Sequence, residues 1–433
     1  MPEETPKPQL PDPNPKEPSA GKGLSAAIRE MGPRSGLFAL LCLATFFEGF
    51  DTKLASFVQP VIREDFGASL SEVGAAIGIS SFGMVLAFFV ILLADTVGRR
   101  PIFLGGLFAY AIFTLATALA PNLAIFTALQ FFARMAMVVE LGLAYLILSE
   151  EMPPHIRGRV NGLFGATAVL GAAVPAALLA PLEAAGIGWR GLFVIGAIPL
   201  LLFPLYLARI KETRAFEERP TATGRYGEDF VRIAKSLWHS DRRGRLIGTS
   251  LLWIAINFWA GAALYFFTVY VYGERGWTSL DLQLLPFGTI PFGIAGYVLS
   301  GLAMDRLGRR TAAAIYLSAA FCATVLCYRS SDDRVIYFAY FLLVGLGGIW
   351  TIATTWTLEL FPTESRATAL AISNNLIGRM GLVFGPIAGG MLSTAWGSAS
   401  HAIIALSTVT LLALPIVWSL PETNAINLRS EAN

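Results

Sequence analysis

The chain has 433 residues, a formal net charge of +2, and only 14% charged against 55% hydrophobic residues. Soluble domains carry about 25% charged residues, so the composition argues against a soluble enzyme or a nucleic-acid binder. At about 20 residues per membrane span, the apolar content suffices for roughly twelve spans.

Residues 1–36 open with PEETPKPQLPDPNPKEP in their first half, rich in Pro and charge, and read as a disordered cytoplasmic tail. They do not show the short basic start running directly into an apolar stretch that marks a signal peptide. Apolar stretches then fall near 37–58, 72–93, 101–120, 122–148, 160–181 and 190–209. A polar segment, 211–245, follows and reads as a cytoplasmic linker with one interfacial helix around Phe230–Trp238. Six more apolar stretches fall near 246–272, 282–304, 311–328, 335–358, 367–393 and 401–420, before a short tail at 422–433. Long apolar runs are read as helices, because a lipid-exposed backbone must satisfy its own hydrogen bonds. The expected fold is an all-α membrane protein of twelve transmembrane helices, in two six-helix halves at 37–210 and 246–421.

With the N-terminus placed in the cytoplasm, 24 of the 32 Lys and Arg residues fall in inside segments and 5 in outside loops. Positive charge marks the inner side, so a multi-pass inner-membrane protein with both termini cytoplasmic is expected. Cys42, Cys322 and Cys327 all lie inside apolar runs and read as packing residues. The three histidines are scattered, so neither a metal nor a cofactor is expected.

The halves repeat each other at an offset of about 210 residues. LADTVGRRPIF after the second span, with Asp95, Arg99 and Arg100, matches GLAMDRLGRRTAA after the eighth, with Gly301, Asp305, Arg306, Arg309 and Arg310. Glu150 and Arg157 after the fourth span match Glu359 and Arg366 after the tenth, and Glu212 matches Glu422. Parallel six-helix repeats with a site between them near mid-membrane are a transporter architecture. Both short loops resemble the major facilitator superfamily motif Gly-x-x-x-Asp-Arg/Lys-x-Gly-Arg-Arg/Lys. The second copy is complete, whereas the first has Ile91 for the opening Gly and Thr96 for the basic residue after Asp95. The Arg and acidic residues of these loops are read as a conformational latch, with a plain topology anchor as the alternative.

Charges inside spans are costly and point to function. In the first span Glu48 and Asp51 are three apart and share a helix face, with Gly49 leaving room for a neighbour. Lys53 points another way, nearer the outer surface, where it can snorkel. The two carboxylates are assigned to proton coupling, Asp51 leading and Glu48 assisting, against the alternative of structural ion pairs. Glu48-Gly-Phe-Asp51-Thr52, then Gln59-Pro60 and Asp65-Phe66-Gly67, resembles the Asp-Gly-x-Asp region of aromatic-acid/proton symporters. That resemblance implies a proton-coupled importer of small carboxylates. In the fourth span Arg134 is assigned, with Arg379, to the carboxylate of the cargo, whose desolvation the two cations would offset, and is also read as able to neutralise Glu48, with a structural ion pair as the alternative. Glu140 matches a carboxylate that looks similar in metabolite/proton symporters and joins the proton-coupling set. In the eleventh span Arg379 near mid-depth resembles the organic-anion branches and suits a two-point grip on a carboxylate. Asn374 and Asn375 are polar candidates beside it, Asn375 being the one assigned to substrate binding. In the superfamily, helices 1, 4, 7 and 10 line the central cavity, which makes Trp253, Asn257, Trp350 and Thr354 candidate lining residues for a flat organic substrate.

No Gly-x-x-x-x-Gly-Lys-Ser/Thr stretch for an ATP-driven pump is present. The reading is a monomeric, non-enzymatic secondary transporter. It brings in a small organic anion, an aromatic or other carboxylic acid, with protons by alternating access. A sugar porter, a drug/proton antiporter and a signalling protein on the same fold stand as alternatives.

Overall fold

The computed structural model describes residues 31–152, 157–217, 226–239 and 242–423. The predicted tails beyond these limits and part of the linker lie outside them, as do the side chains of Asp95 and Arg157. Eleven helical stretches among the described residues are long and apolar enough to cross a membrane. They are α2 (Leu70–Ala94), α3 (Arg99–Ala118), α4 (Leu123–Leu148), α5 (Leu163–Ala184), α6 (Trp189–Arg209), α7 (Arg243–Arg275), α8 (Ser279–Leu307), α9 (Arg309–Arg329), α10 (Asp333–Glu359), α11 (Ser365–Trp396) and α12 (Ala399–Ser419). A further 23-residue helix, α1 (Ser35–Phe57), carries Glu48, Asp51 and Lys53 and completes the set of twelve. The described residues contain no strand.

The helix starts follow from local chemistry. Ser69 and Glu72 form a reciprocal capping box at the head of α2, with Ser69 N donating to Glu72 Oε2 at 2.8 Å and Glu72 N to Ser69 Oγ at 3.2 Å. Asn122 caps α4 by accepting from Ile125 N at 2.9 Å. The helix of α2 continues past its membrane span to Val97, so the expected loops between α2 and α3 and between α8 and α9 shrink to one residue each, Gly98 and Gly308. Both sit at positive φ, +114° and +84°, which a side chain would resist. The helices thus run longer than the apolar stretches that announced them.

Within each half, small residues bring two helices together. Gly49 of α1 lies against the Ala168 carbonyl of α5, and Gly171 of α5 against the Phe46 carbonyl of α1. In the second half Gly381 of α11 lies in the same way against the Ile254 carbonyl of α7. Such stripes let backbones approach where lipid offers no hydrophobic drive to association. Between halves, α2 crosses α11, with Gly74 facing the Pro386 carbonyl and Gly390 the Leu70 carbonyl. At the end away from the termini, Thr268 Oγ1 donates to the Ser56 carbonyl at 2.6 Å and Ser56 Oγ to the Leu264 carbonyl at 3.3 Å. Ser279 Oγ donates to Glu183 at the same end. Among the described residues, the hydrogen bonds joining the halves fall here.

The interfacial helix runs Tyr226–His239, longer than the Phe230–Trp238 expected. It rests one face on the bundle, with Leu237 buried and Phe230 5.2 Å from the Phe88 ring, and leaves Val231 and Trp238 exposed.

Candidate functional site

A cavity of about 440 Å³ lies between the halves. Its wall takes residues from both halves, α1, α2, α4 and α5 on one side and α7, α8, α10 and α11 on the other. Most of the lining is apolar or aromatic, including Met84, Met137, Tyr265, Tyr297, Tyr340 and Trp350. Three charged side chains face it: Glu48, Lys53 and Arg379. A mainly apolar pocket with a few convergent polar groups suits an organic ligand of small size.

The close contact of α1 with α5 at Gly49 fixes how α1 is turned. Glu48 faces the cavity, where its carboxylate accepts from Thr52 Oγ1 at 3.2 Å. Asp51 does not line the cavity; it is 1% exposed and neither carboxylate oxygen has a hydrogen-bond partner. Residues three apart on a helix share a side but diverge by about 60°, enough here to put one carboxylate in the cavity and one in the packing. Lys53, expected to snorkel outward, instead lines the cavity. Glu140 is also 1% exposed and outside the lining, with Oε1 lacking a partner. It interacts electrostatically with Glu48. Tyr110 donates to the Phe47 carbonyl at 3.1 Å and feels all three carboxylates. Asp51, Glu140 and Glu48 therefore form one buried electrostatic cluster, and only Glu48 opens onto the cavity.

The basic residues divide differently from the expectation. Arg134, assigned from the sequence to the carboxylate of the cargo, is not part of the cavity lining, and its charge acts on Asp51. It is 3% exposed, and its guanidinium donates to Ser81 Oγ on α2 at 2.7 Å. It sits 5.7 Å over the Tyr265 ring, and Tyr265 lines the cavity while Arg134 lies behind it. Arg379 is the cation that acts on Glu48. Its guanidinium faces the cavity and makes no hydrogen bond or ion pair among the described residues.

Arg379 follows a π-helical segment, Ala371–Gly378, and its backbone N donates to the Asn374 carbonyl at 2.9 Å. Such segments are rare and recur at functional sites. The wider turn places Asn374, five residues back, on the cavity wall with Arg379, while Asn375 is not part of the lining. In α7, Asn257 lines the cavity and accepts from Trp350 Nε1 at 3.3 Å, leaving its own Nδ2 without a partner. Trp253 does not reach the cavity; it is buried and donates from Nε1 to Thr357 at 3.2 Å. It sits one helical turn from Asn257, but α7 is packed on several sides and that turn faces α10 within the half. Thr354 is likewise absent from the lining, which follows the face of α10 bearing Tyr340, Val344, Gly347 and Trp350. Residues missed from the sequence are Lys53, Thr52, Tyr297 and Tyr340, while of the two asparagine candidates it is Asn374 that lines the cavity. Only Lys53 carried a signal that could have singled it out, as a charge within a span.

The loop residues make two matching networks at the end of the bundle that carries the termini. Arg99 donates from Nε and Nη2 to Glu150 at 3.4 and 3.3 Å, and Thr213 Oγ1 donates to the same carboxylate at 2.6 Å. Arg309 donates to Glu359 at 2.9 and 2.7 Å, and Thr423 Oγ1 at 2.5 Å. Glu212 caps α3 by accepting from the backbone N of Arg99 and Arg100 at 3.0 and 3.2 Å. Glu422 caps α9 by accepting from those of Arg309 and Arg310 at 2.9 and 3.0 Å. Arg366 donates to the Phe361 carbonyl at 3.3 Å, while Asp305 and Arg306 are exposed. Gly301 has open space where a side chain would stand. Each of these bonds stays within one half.

The sequence matches the Major Facilitator Superfamily over residues 41–378 and again over 290–432. The niacin transporter NiaP of Acinetobacter baylyi is 26% identical over 409 residues, covering 87% of this chain and 90% of its own. The cis,cis-muconate transport protein of the same organism is 28% identical, covering 83% of this chain and 87% of its own. Among solved structures, a bacterial homologue of the human lysosomal transporter Spinster, inward-facing and occupied, superposes with a TM-score of 0.74 at 15% identity. It covers 89% of this chain and 96% of that one, which speaks to the fold. Twelve long helices in two repeated halves, a cavity between them and a family match across nearly the whole chain lead to one conclusion: the protein belongs to the Major Facilitator Superfamily and is a membrane transporter.

Proposed function

We propose that the protein carries a small organic anion, an aromatic or other carboxylic acid, inward together with protons, as a monomer of the cytoplasmic membrane with both termini inside. The observation that carries this is Arg379, a guanidinium in the wall of the central cavity with no hydrogen bond or ion pair of its own. An unpaired cation away from water is costly, and a bound carboxylate would relieve that cost through two parallel hydrogen bonds. Asn257, Asn374 and Trp350 would orient the acid, and the tyrosine and methionine wall would cover its apolar body. The relatives transport niacin and cis,cis-muconate, which supports an acid as cargo. Two cations against one carboxylate in the lining disfavour a cationic drug.

Protons would enter through the cluster of Glu48, Asp51 and Glu140, with Glu48 in contact with the cargo site. Alternating access would close the cavity on one side as the bonds of Ser56, Thr268 and Ser279 open on the other. The test is uptake into proteoliposomes of radiolabelled nicotinate, benzoate and xylose, with an inward proton gradient. Accumulation of a carboxylate that a protonophore abolishes, and that Arg379→Lys lowers by about tenfold, is the expected result, because an ammonium cannot reproduce the two-point grip. Uptake of xylose with indifference to both acids would replace this reading by a sugar porter.

A further inference from the structure

Lys53 and Arg379 line the same cavity but come from opposite halves, α1 and α11. Neither side chain has a hydrogen bond or ion pair among the described residues. The single carboxylate in the lining, Glu48, is engaged by Thr52 and interacts electrostatically with Arg379. The cavity therefore holds one more positive charge than negative when Glu48 is ionised, and two when Glu48 carries a proton. Burying a cation without a counter-charge is unfavourable, and a monocarboxylate at Arg379 leaves Lys53 uncompensated.

We propose that the cargo is a dianion, a dicarboxylate or a carboxylate with a second anionic group, whose two charges are taken by Arg379 on one half and Lys53 on the other. This rests on the organic-anion reading above and narrows it. A ligand held at both ends would tie α1 to α11 across the cavity, so its second charge would contribute to drawing the halves together as well as to affinity. The cavity lining as a whole is mainly apolar, so the frame joining the charges is a hydrocarbon chain or ring rather than a polyol.

The experiment is equilibrium binding to the purified full-length protein of matched probes: benzoate against isophthalate and terephthalate, and hexanoate against adipate. At least one diacid should bind about tenfold or more tightly than its monoacid, a gap of about 1.4 kcal/mol. In Lys53→Met that ratio should fall close to one, whereas Lys53→Arg, which keeps the charge, should retain most of it. Melting temperatures near that of the parent protein would show that both variants are folded. Equal affinity within every pair, or a ratio that survives in Lys53→Met, would overturn the proposal. Monoacids that bind without any advantage for diacids would sink the dianion alone and leave the organic-acid reading in place. Binding of xylose with no binding of any carboxylate would remove both.

Discussion

Gly49 stands between the two carboxylates of α1, and the packing around it gives a sharp test of how the site is held. A methyl group at this position would overlap the Ala168 carbonyl oxygen and come within 2.6 and 2.8 Å of that residue's C and Cα. Ordinary contact begins near 3.4 Å and the carbonyl oxygen lies closer than either carbon, so α1 and α5 would have to separate by more than an ångström. No side chain can rotate away, because the obstructing atoms are backbone. Overpacking of this kind costs about 3 kcal/mol at the upper end of its range. Alanine's better helix propensity returns about 1 kcal/mol, leaving a net loss of about 2 kcal/mol. Gly105 in α3 is the matched control, since a methyl there meets nothing within 4 Å. Gly105→Ala should be neutral or stabilising by up to about 1 kcal/mol. Thermal unfolding of the detergent-purified variants should therefore place Gly49→Ala well below the parent and Gly105→Ala at or above it. Uptake by Gly49→Ala should fall too, since Glu48 and Asp51 move with the helix. A Gly49→Ala protein as stable as Gly105→Ala would show that the α1–α5 contact does not set the geometry of the site.

Asp51→Asn should abolish gradient-driven accumulation while counterflow exchange of cargo persists; full proton-driven uptake would remove Asp51 from the coupling pathway. The matching ion pairs at the terminal end are unequal, Arg309–Glu359 at 2.7 Å and Arg99–Glu150 at 3.3 Å. Charge-assisted hydrogen bonds contribute about 1.5–3 kcal/mol, so Glu359→Gln should lower the unfolding temperature more than Glu150→Gln, and the reverse order would contradict the geometry. For topology, a maleimide that cannot cross the membrane should label Ala185→Cys in intact cells and Lys211→Cys only after permeabilisation, and the opposite pattern would invert the orientation.

The architecture was legible because it rests on quantities that a sequence carries directly. Span lengths, the Lys and Arg asymmetry and the repeat of Asp95, Glu150 and Glu212 at Asp305, Glu359 and Glu422 each depend only on position along the chain. The repeat extends to contacts: Arg99 and Arg309 meet carboxylates of equivalent position, and Glu212 and Glu422 cap equivalent helices. The site was legible in its residue types and less so in its directions. Asn375 and Asn374 are adjacent, and an α-helical reading puts Asn375, four residues from Arg379, on the shared face. The π-helical turn moves that place to Asn374. Trp253 and Lys53 were misdirected for a related reason. Spans α1 and α7 are surrounded on several sides, so periodicity within them does not say which side faces the cavity.

The electrostatics of the cavity would link cargo to coupling in the proposed symport. Moving one charge against a membrane potential costs about 2.3 kcal/mol per 100 mV, so a dianion entering alone would oppose roughly twice that. Two protons carried with it make transport electroneutral and dependent on the pH gradient alone, and a third lets the potential assist. The cluster of Glu48, Asp51 and Glu140 offers three carboxylates, of which Glu48 alone lines the cavity while Asp51 and Glu140 are buried behind the lining. Glu48 is thus where the two ligands would sense each other. Protonating it removes the negative charge that acts on Arg379 and strengthens the site for an anion. Leaving it ionised makes Glu48 a competitor of the cargo for the same guanidinium. In that arrangement, proton and anion bind with mutual advantage, which favours their joint loading, and binding linkage requires the advantage to be reciprocal. Cargo affinity should therefore rise as pH falls in the parent protein and lose that dependence in Glu48→Gln, measured by equilibrium binding across a pH series. An unchanged pH dependence in this variant would move the coupling point away from Glu48.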